Sequence, residues 1–375
     1  MQTALTKREI NYNVFAGGKV PHVFFQPRLE PWFHWHKAVR PDLMPPRWAN
    51  ANIYDFYADL NLSMRYIDYY TGVPWAVEVR YAKKVKREVT QSADTIVEVF
   101  HTPKGDLRTV STLTSDKTWW STEFLLKTPE DFPAFAWLMS ETEYHFNTAN
   151  FDKGAKALGD RGEPQFYLPK SPYQRLALEQ MRLQDFIFAL ADVPDAVEGL
   201  FAAMDRAFDP LFQEIVDSGK VRVVNFGENI HVQHLSPAYF ERYLIPYYQK
   251  RSEQLRRAGI FTHIHIDGHF GPLLKYLKDL PFDGLEALTP LPQGDVSIPQ
   301  IREHIGGKVL LDGIPAIYFT PTYPADVLME CVETLVQSFH PRLVLWISDE
   351  IPEGADESQL DKVRLVRDYC LKTTS

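Results

Sequence analysis

The chain has 375 residues, 45% of them apolar and 24% charged, with a formal net charge of −9 and a pI near 5.8. That length and composition suit one large domain or two ordinary ones with a sizeable core. The acidic balance, in which Lys83-Lys84-Val85-Lys86-Arg87 is the only dense basic run, argues against a nucleic-acid partner, and no stretch approaches the roughly 18 apolar residues of a membrane span.

Met1 to Asn11 mixes charge and polarity without the apolar core of a secretory signal. Pro21 to Phe25 reads as a short buried strand. Phe24, Phe25, Trp32, Phe33 and Trp35 follow within twelve residues and imply a loop-rich apolar lining. Trp48 to Tyr70 contains a helical stretch, with Asp55, Phe56, Tyr57, Leu60 and Leu62 in an amphipathic pattern. Thr95 to Phe100 and Asp106 to Thr112, split by the Thr102-Pro-Lys-Gly105 turn, predict a β-hairpin. Trp119 to Leu126 adds a strand, and Pro129 opens a helix towards Leu138.

From Gln165 the texture changes. A strand at Gln165 to Leu168 precedes helical patterns at Tyr173 to Gln184, Asp185 to Ala191 and Asp195 to Ser218. Five strand–helix pairs follow, their strands at Arg222–Phe226, Ile260–Asp267, Leu285–Leu288, Val309–Asp312 and Leu343–Ser348. Their helices are Ser236–Arg257, Pro272–Leu280, Pro299–Ile305, Pro324–Phe339 and Asp356–Leu371. Such alternation predicts parallel β/α units. With the earlier strands the natural count is a closed (β/α)8 TIM barrel, and an open doubly wound sheet is the runner-up. No G-x-G-x-x-G follows a first strand, so no dinucleotide fold and no nucleotide cofactor is expected. The two cysteines, Cys331 and Cys370, make neither a disulfide framework nor a thiolate metal motif and fit a reducing cytoplasm.

In a barrel the active site lies at the C-terminal ends of the strands. Those ends here carry Glu228 with His231 and His234, then His265, Asp267 and His269, then Glu286, Asp312, and Asp349-Glu350. On a strand His263, His265 and Asp267 share one face, and Ile264 and Ile266 the other. One imidazole and two carboxylates can hold a divalent metal with open positions. Without metal, the same groups serve as general acid and base. Trp32-Phe33-His34-Trp35-His36 reads either as a packed amphipathic segment or as the wall of an aromatic-lined pocket, with Arg28 available to an anionic group.

Several linked motifs carry a family resemblance. His265-Ile-Asp-Gly268-x-x-x-Pro272-Leu-Leu274, Asp283-Gly-Leu-Glu286, Pro292-x-Gly-Asp295 and Gly313-Ile-Pro315 resemble the uroporphyrinogen decarboxylase superfamily, as do Ser236-Pro237-x-x-Phe240 and Ile351-Pro352-Glu353. The likeness covers 165–375 well, leaving 1–130 as an N-terminal extension of one barrel domain. It implies a (β/α)8 barrel and one of two activities. The decarboxylase arm works without metal or organic cofactor. The methyltransferase arm works with corrinoid proteins and holds zinc by a His-x-Cys pair and a later Cys.

Here the pair reads His265-Ile266-Asp267, and the later Cys falls at Asp349. Carboxylates thus replace both thiolates, a harder site for zinc or another divalent metal. The Arg-rich N-terminal motif of the decarboxylases is reduced to Arg28, and Asp59 is a candidate for their pyrrole-binding Asp. The resemblance implies first an enzyme moving a methyl group from a small methylated compound towards a corrinoid protein. His265, Asp267 and Asp349 would bind metal or act as acid and base. Glu228 and Glu286 would support them or donate protons, and Arg28, Trp32, Trp35, His36 and His234 would meet the substrate. Decarboxylation of a carboxylated aromatic and a non-catalytic binding barrel are the alternatives. The superfamily includes monomers and homodimers.

Overall fold

The computed structural model describes residues 4–348, 350–352 and 354–374. The chain forms two compact units, one of Met1–Ala76, Thr148–Leu168 and Lys220–Ser375, the other of Val77–Asn147 and Pro169–Gly219. This differs from the single barrel domain with an extension expected from sequence. The predicted hairpin belongs to the same unit as the helices between 172 and 218, which the family resemblance over 165–375 assigned to the barrel domain.

The first unit holds a seven-stranded, all-parallel sheet. Its strands are β1 (Phe24–Phe25), β2 (Tyr167–Leu168), β3 (Val223–Ile230), β4 (Phe261–Ile266), β5 (Gly284–Glu286), β6 (Val309–Pro315) and β7 (Leu343–Ser348). They lie in the order β1-β7-β6-β5-β4-β3-β2. Tyr66 adds a parallel bridge to Gln165 beside β2, with Ile67 N donating to Gln165 O at 3.0 Å and Gln165 N to Arg65 O at 3.2 Å. This arrangement is compatible with a TIM-barrel-like fold. No backbone hydrogen bond joins 24–27 to 62–66 among the described residues, so the ladder is not closed there. A side chain spans that seam instead. Gln26 Nε2 donates to Ser63 Oγ at 2.9 Å and Met64 O at 3.0 Å, and Gln26 Oε1 accepts from Arg65 Nε at 2.8 Å.

The N-terminal ends of the strands are covered by the Lys7–Ala16 helix. A Thr6–Glu9 capping box starts it and Gly17, with φ 70°, ends it. Its Ile10, Val14 and Phe15 are buried with Phe24, Val223, Val309, Leu311 and Val344. That apolar plug leaves the opposite, C-terminal ends of the strands to carry the polar residues.

The second unit is built on a four-stranded antiparallel sheet of Lys86–Gln91, Thr95–Thr102, Gly105–Leu113 and Trp119–Glu123. The hairpin turn falls where Pro103 and Gly105 mark it, and Gly105 takes a φ of 127°. The basic run at 83–87 enters the exposed first strand of this sheet. A two-stranded ribbon of Val77–Tyr81 and Thr142–Phe146 and helices including Pro194–Ala207 and Asp209–Ser218 complete the unit. The last two were expected as one helix. They break at Phe208, just ahead of Pro210, where a proline lacks the backbone donor a continuous helix requires.

Candidate active site

Register brings the site together. Tyr167, Asn225, His263 and Gly284 are partners across β2, β3, β4 and β5. One step on, His265 and Glu286 pair across β4 and β5, in line with Leu311 of β6. Register partners on parallel strands share a face, so two polar layers stack at the ends of these strands. Gly284 makes this possible. A Cβ there would sit 2.5 Å from Leu311 Cδ1 and 3.1 Å from His263 Cβ.

Glu286 is the hub. It is fully buried, yet its carboxylate accepts from Tyr66 Oη at 2.8 and 2.9 Å and from Asn225 Nδ2. Arg65 Nη1 lies 3.4 Å from Oε2, His263 Nδ1 2.8 Å from Oε2, and His265 Nδ1 3.5 Å from Oε1. The two imidazole contacts are close approaches without aligned hydrogen-bond geometry, and each becomes an ion pair only when the ring is protonated. Burial alone would raise the pKa of this carboxyl. The Arg65 charge and the His263 and His265 nitrogens outweigh it and hold Glu286 well below the usual carboxylate range. Glu286 is therefore a buried anion. Tyr66, raised by burial and then by that anion, remains a hydroxyl donor and stacks on Tyr167 at 4.2 Å.

The two histidines of β4 differ. His263 is fully enclosed, its Nε2 2.7 Å from Gln165 Oε1, and burial lowers its pKa. It is a support. His265 keeps about a tenth of its side chain exposed. Its Nδ1 is buried against Glu286, which leaves Nε2 as the nitrogen open to a ligand.

Asp267 follows β4, and its Oδ2 accepts from Asn229 Nδ2 at 2.8 Å. Gly268 then turns the chain at φ 79°, under the His231 ring. A Cβ at that glycine would come within 2.2 Å of His231 Cδ2. His231 stacks on His269 with ring centres 5.2 Å apart, and His234 Nε2 lies 3.1 Å from Asn229 O.

The remaining expected residues divide. Glu228 is fully buried on β3 and is not among the partners of Glu286. Asp312 follows Leu311, the register partner of Glu286, so it falls on the opposite face, where it accepts from Ser348 Oγ at 2.5 Å. Arg28 donates to Tyr69 Oη at 2.6 Å and lies 3.8 Å from Glu350 Oε2. Asp59 accepts from Trp48 Nε1 at 3.0 Å.

The aromatic segment forms a helix, Glu30–Ala38. Trp32 and His36, four residues apart, share its buried face. Trp32 stacks on Phe56 at 5.6 Å, touches His36 at 4.0 Å and donates through Nε1 to Ala355 O at 2.7 Å. At 1% exposure it offers no face to a ligand, whereas Trp35 is half-buried. Asp349 lies outside the described residues.

Five residues of the cluster were missed from sequence: Gln26, Arg65, Tyr66, Gln165 and Asn225. Asn225, fourth in the five-residue predicted strand Arg222–Phe226 and two before the Gly-Glu-Asn end, was the one with a usable signal.

Asp68, two residues beyond Tyr66, yields a pH-dependent prediction. It accepts from Ala76 N at 3.0 Å, and burial pushes its pKa up to about 6. The unfolded chain ionises it near about 3.9. The folded state thus holds the proton more tightly, and its relative stability declines as pH rises from about 4 to about 6. Asp68→Asn is expected to stabilise the protein by roughly 2–3 kcal/mol at pH 8 and by far less at pH 4. Urea midpoints of both proteins at the two pH values check this, and an equal effect at both excludes the ionisation as cause.

Among solved structures, the chain is similar to a methyltransferase from Methanosarcina mazei, at 13% identity and a TM-score of 0.60 over 98% of this chain and 99% of that one. At that identity the likeness establishes a shared fold. A B12-independent methionine synthase from Shewanella sp. W3-18-1, in complex with selenomethionine, overlaps 79% of this chain and 78% of its own at 12% identity and a TM-score of 0.36. No protein-family model and no curated protein matches the chain.

Proposed function

We propose that the chain is a methyltransferase that takes a methyl group from oxygen or nitrogen of a small compound, such as an aryl methyl ether or a methylamine. The acceptor in this reading is a corrinoid carried by a partner protein, which supplies the nucleophile. The observation that carries the reading is the buried Glu286 anion set against Nδ1 of His265, with Nε2 open at the strand ends. The shared fold with a methyltransferase is consistent with it.

Breaking a methyl–oxygen or methyl–nitrogen bond leaves its electron pair on the heteroatom, which must take up a proton. His265 delivers that proton from Nε2 as general acid. Glu286 stabilises the imidazolium before transfer and keeps the remaining proton on Nδ1, as a buried carboxylate does for a catalytic histidine. Tyr66 and Asn225 fix the carboxylate, so it does not swing when the charge changes. Asp267, pinned by Asn229, orients a donor group beside the ring.

A divalent metal fits this set in part. His265 backed by a carboxylate is a common ligand arrangement, and Asp267 supplies an oxygen. No group of three His, Cys, Asp or Glu able to hold a metal exists among the described residues, and Asp349 would be the third ligand. An ion there would supply Lewis acidity to the donor heteroatom.

The test is direct. The protein is incubated with a panel of aryl methyl ethers and methylamines and free cob(I)alamin, and the loss of cob(I)alamin absorbance is followed. Protein-dependent loss with at least one donor supports the reading. No loss with any donor, while the partner corrinoid protein also fails as acceptor, overturns it.

A further inference from the structure

The Leu183–Asp192 helix of the second unit is apolar on more sides than its own unit covers. Seven of its ten residues are apolar, and Phe186, Ala189 and Leu190 already supply its buried stripe. On the other side Phe188 is 57% and Leu183 37% exposed, with Ala191 exposed and Ile187 half-buried beside them. A helix apolar all round is normally covered all round.

The next helix, Pro194–Ala207, follows after Val193 alone and packs back through Phe201, whose ring centre lies 6.4 Å from that of Phe186. Its Gly199 sits mid-helix, where glycine is disfavoured. A Cβ there would meet nothing within 4 Å, so no contact inside the chain requires the missing side chain. Asp195, Gly199, Ala202 and Arg206 recur at helical spacing and line one exposed face.

We propose that these two helices form the interface of a homodimer, each packing antiparallel on its own copy across a two-fold axis. The charges select a second copy of this chain. Arg182, Asp192, Asp195 and Arg206 are exposed and, among the described residues, make no side-chain hydrogen bond or ion pair. Arg182 and Asp192 bracket the first helix about 15 Å apart, and Asp195 and Arg206 lie about 17 Å apart on the second. Antiparallel pairing sets Arg182 of one copy against Asp192 of the other, and Asp195 against Arg206. It also sets Gly199 against Ala202, small residues that let two helices approach closely. A basic or acidic partner would call for one sign of charge, whereas this face carries two of each and is complementary to itself. Helices of ten and fourteen residues offer less than the about 800 Å² per partner of a standard interface, so the dimer is weak and concentration-dependent.

Sedimentation equilibrium of the full chain from about 1 to 300 µM tests the proposal. A reversible monomer–dimer equilibrium is expected, with a dissociation constant of about 1–100 µM. Phe188→Asp and, separately, Gly199→Leu are each expected to weaken it by at least about tenfold without lowering the urea midpoint, since both positions face solvent in the single chain. Arg182→Asp is expected to weaken the dimer as well, and Arg182→Asp combined with Asp192→Arg to restore it. A chain that stays monomeric at about 300 µM overturns the proposal and leaves the face to a different protein. A dimer unmoved by Phe188→Asp and Gly199→Leu also overturns it, because its contact then lies elsewhere. A double exchange no tighter than Arg182→Asp alone overturns the antiparallel pairing.

Discussion

Glu286→Ala is expected to lower the unfolding free energy by about 3–5 kcal/mol, the usual cost of removing one partner from a buried ion pair. The loss comes from what stays behind. Arg65 keeps a buried positive charge with no anion in contact, and Tyr66 and Asn225 lose their acceptor. Glu286→Gln is expected to cost less, since the amide oxygen still accepts from Tyr66, although its NH2 then faces the Arg65 and Asn225 donors. Adding Arg65→Met to Glu286→Ala is expected to recover part of the loss by removing the orphaned charge. Urea midpoints of the three variants measure this. A loss below about 1 kcal/mol for Glu286→Ala would mean the carboxylate is not the anchor of the site.

His265→Ala is expected to reduce methyl transfer by about 10²- to 10⁴-fold, the range general acid–base catalysis contributes, with a smaller loss of stability than His263→Ala. The ring's polar tie is one 3.5 Å approach to Glu286, and a tenth of its side chain is exposed where His263 is fully enclosed. His263→Ala is expected to behave in the opposite way. That ring fills fully buried space and is bonded to Gln165, so its removal opens a cavity and lowers stability first. Activity and midpoint, measured on both variants, separate the roles. A folded His265→Ala protein with unaltered rate places the proton transfer elsewhere.

Period-two alternation put His263, His265 and Asp267 on one face, and the family resemblance singled out His265 and Asp267 from the three. Gly268 marked the strand end, and its φ of 79° under the His231 ring gives the reason. The five later strands were legible from apolar runs, and the second-unit hairpin from its Pro-Lys-Gly turn. The partners of Glu286 were not. β1 and β2 are two residues long, and the Tyr66 segment makes an isolated bridge, so none is long enough to show a period. The buried residues beside them include Gln26, Arg65 and Gln165, polar types that read as loop from sequence. Composition misled at Trp32 and His36. Aromatic density left a pocket wall open beside a packed segment, but helical spacing turns both inward, Trp32 onto Trp48 and Phe56 and His36 against Trp32.

The central claim is that Glu286 sets the state of His265. Nitrogen-15 NMR of histidine-labelled protein at alkaline pH, with His265 assigned by comparison with His265→Gln, reads the imidazole tautomer directly. The account predicts the proton on Nδ1, facing Glu286, and its redistribution towards Nε2 in Glu286→Gln. A proton resident on Nε2 in the unaltered protein, or a tautomer indifferent to Glu286→Gln, would contradict it.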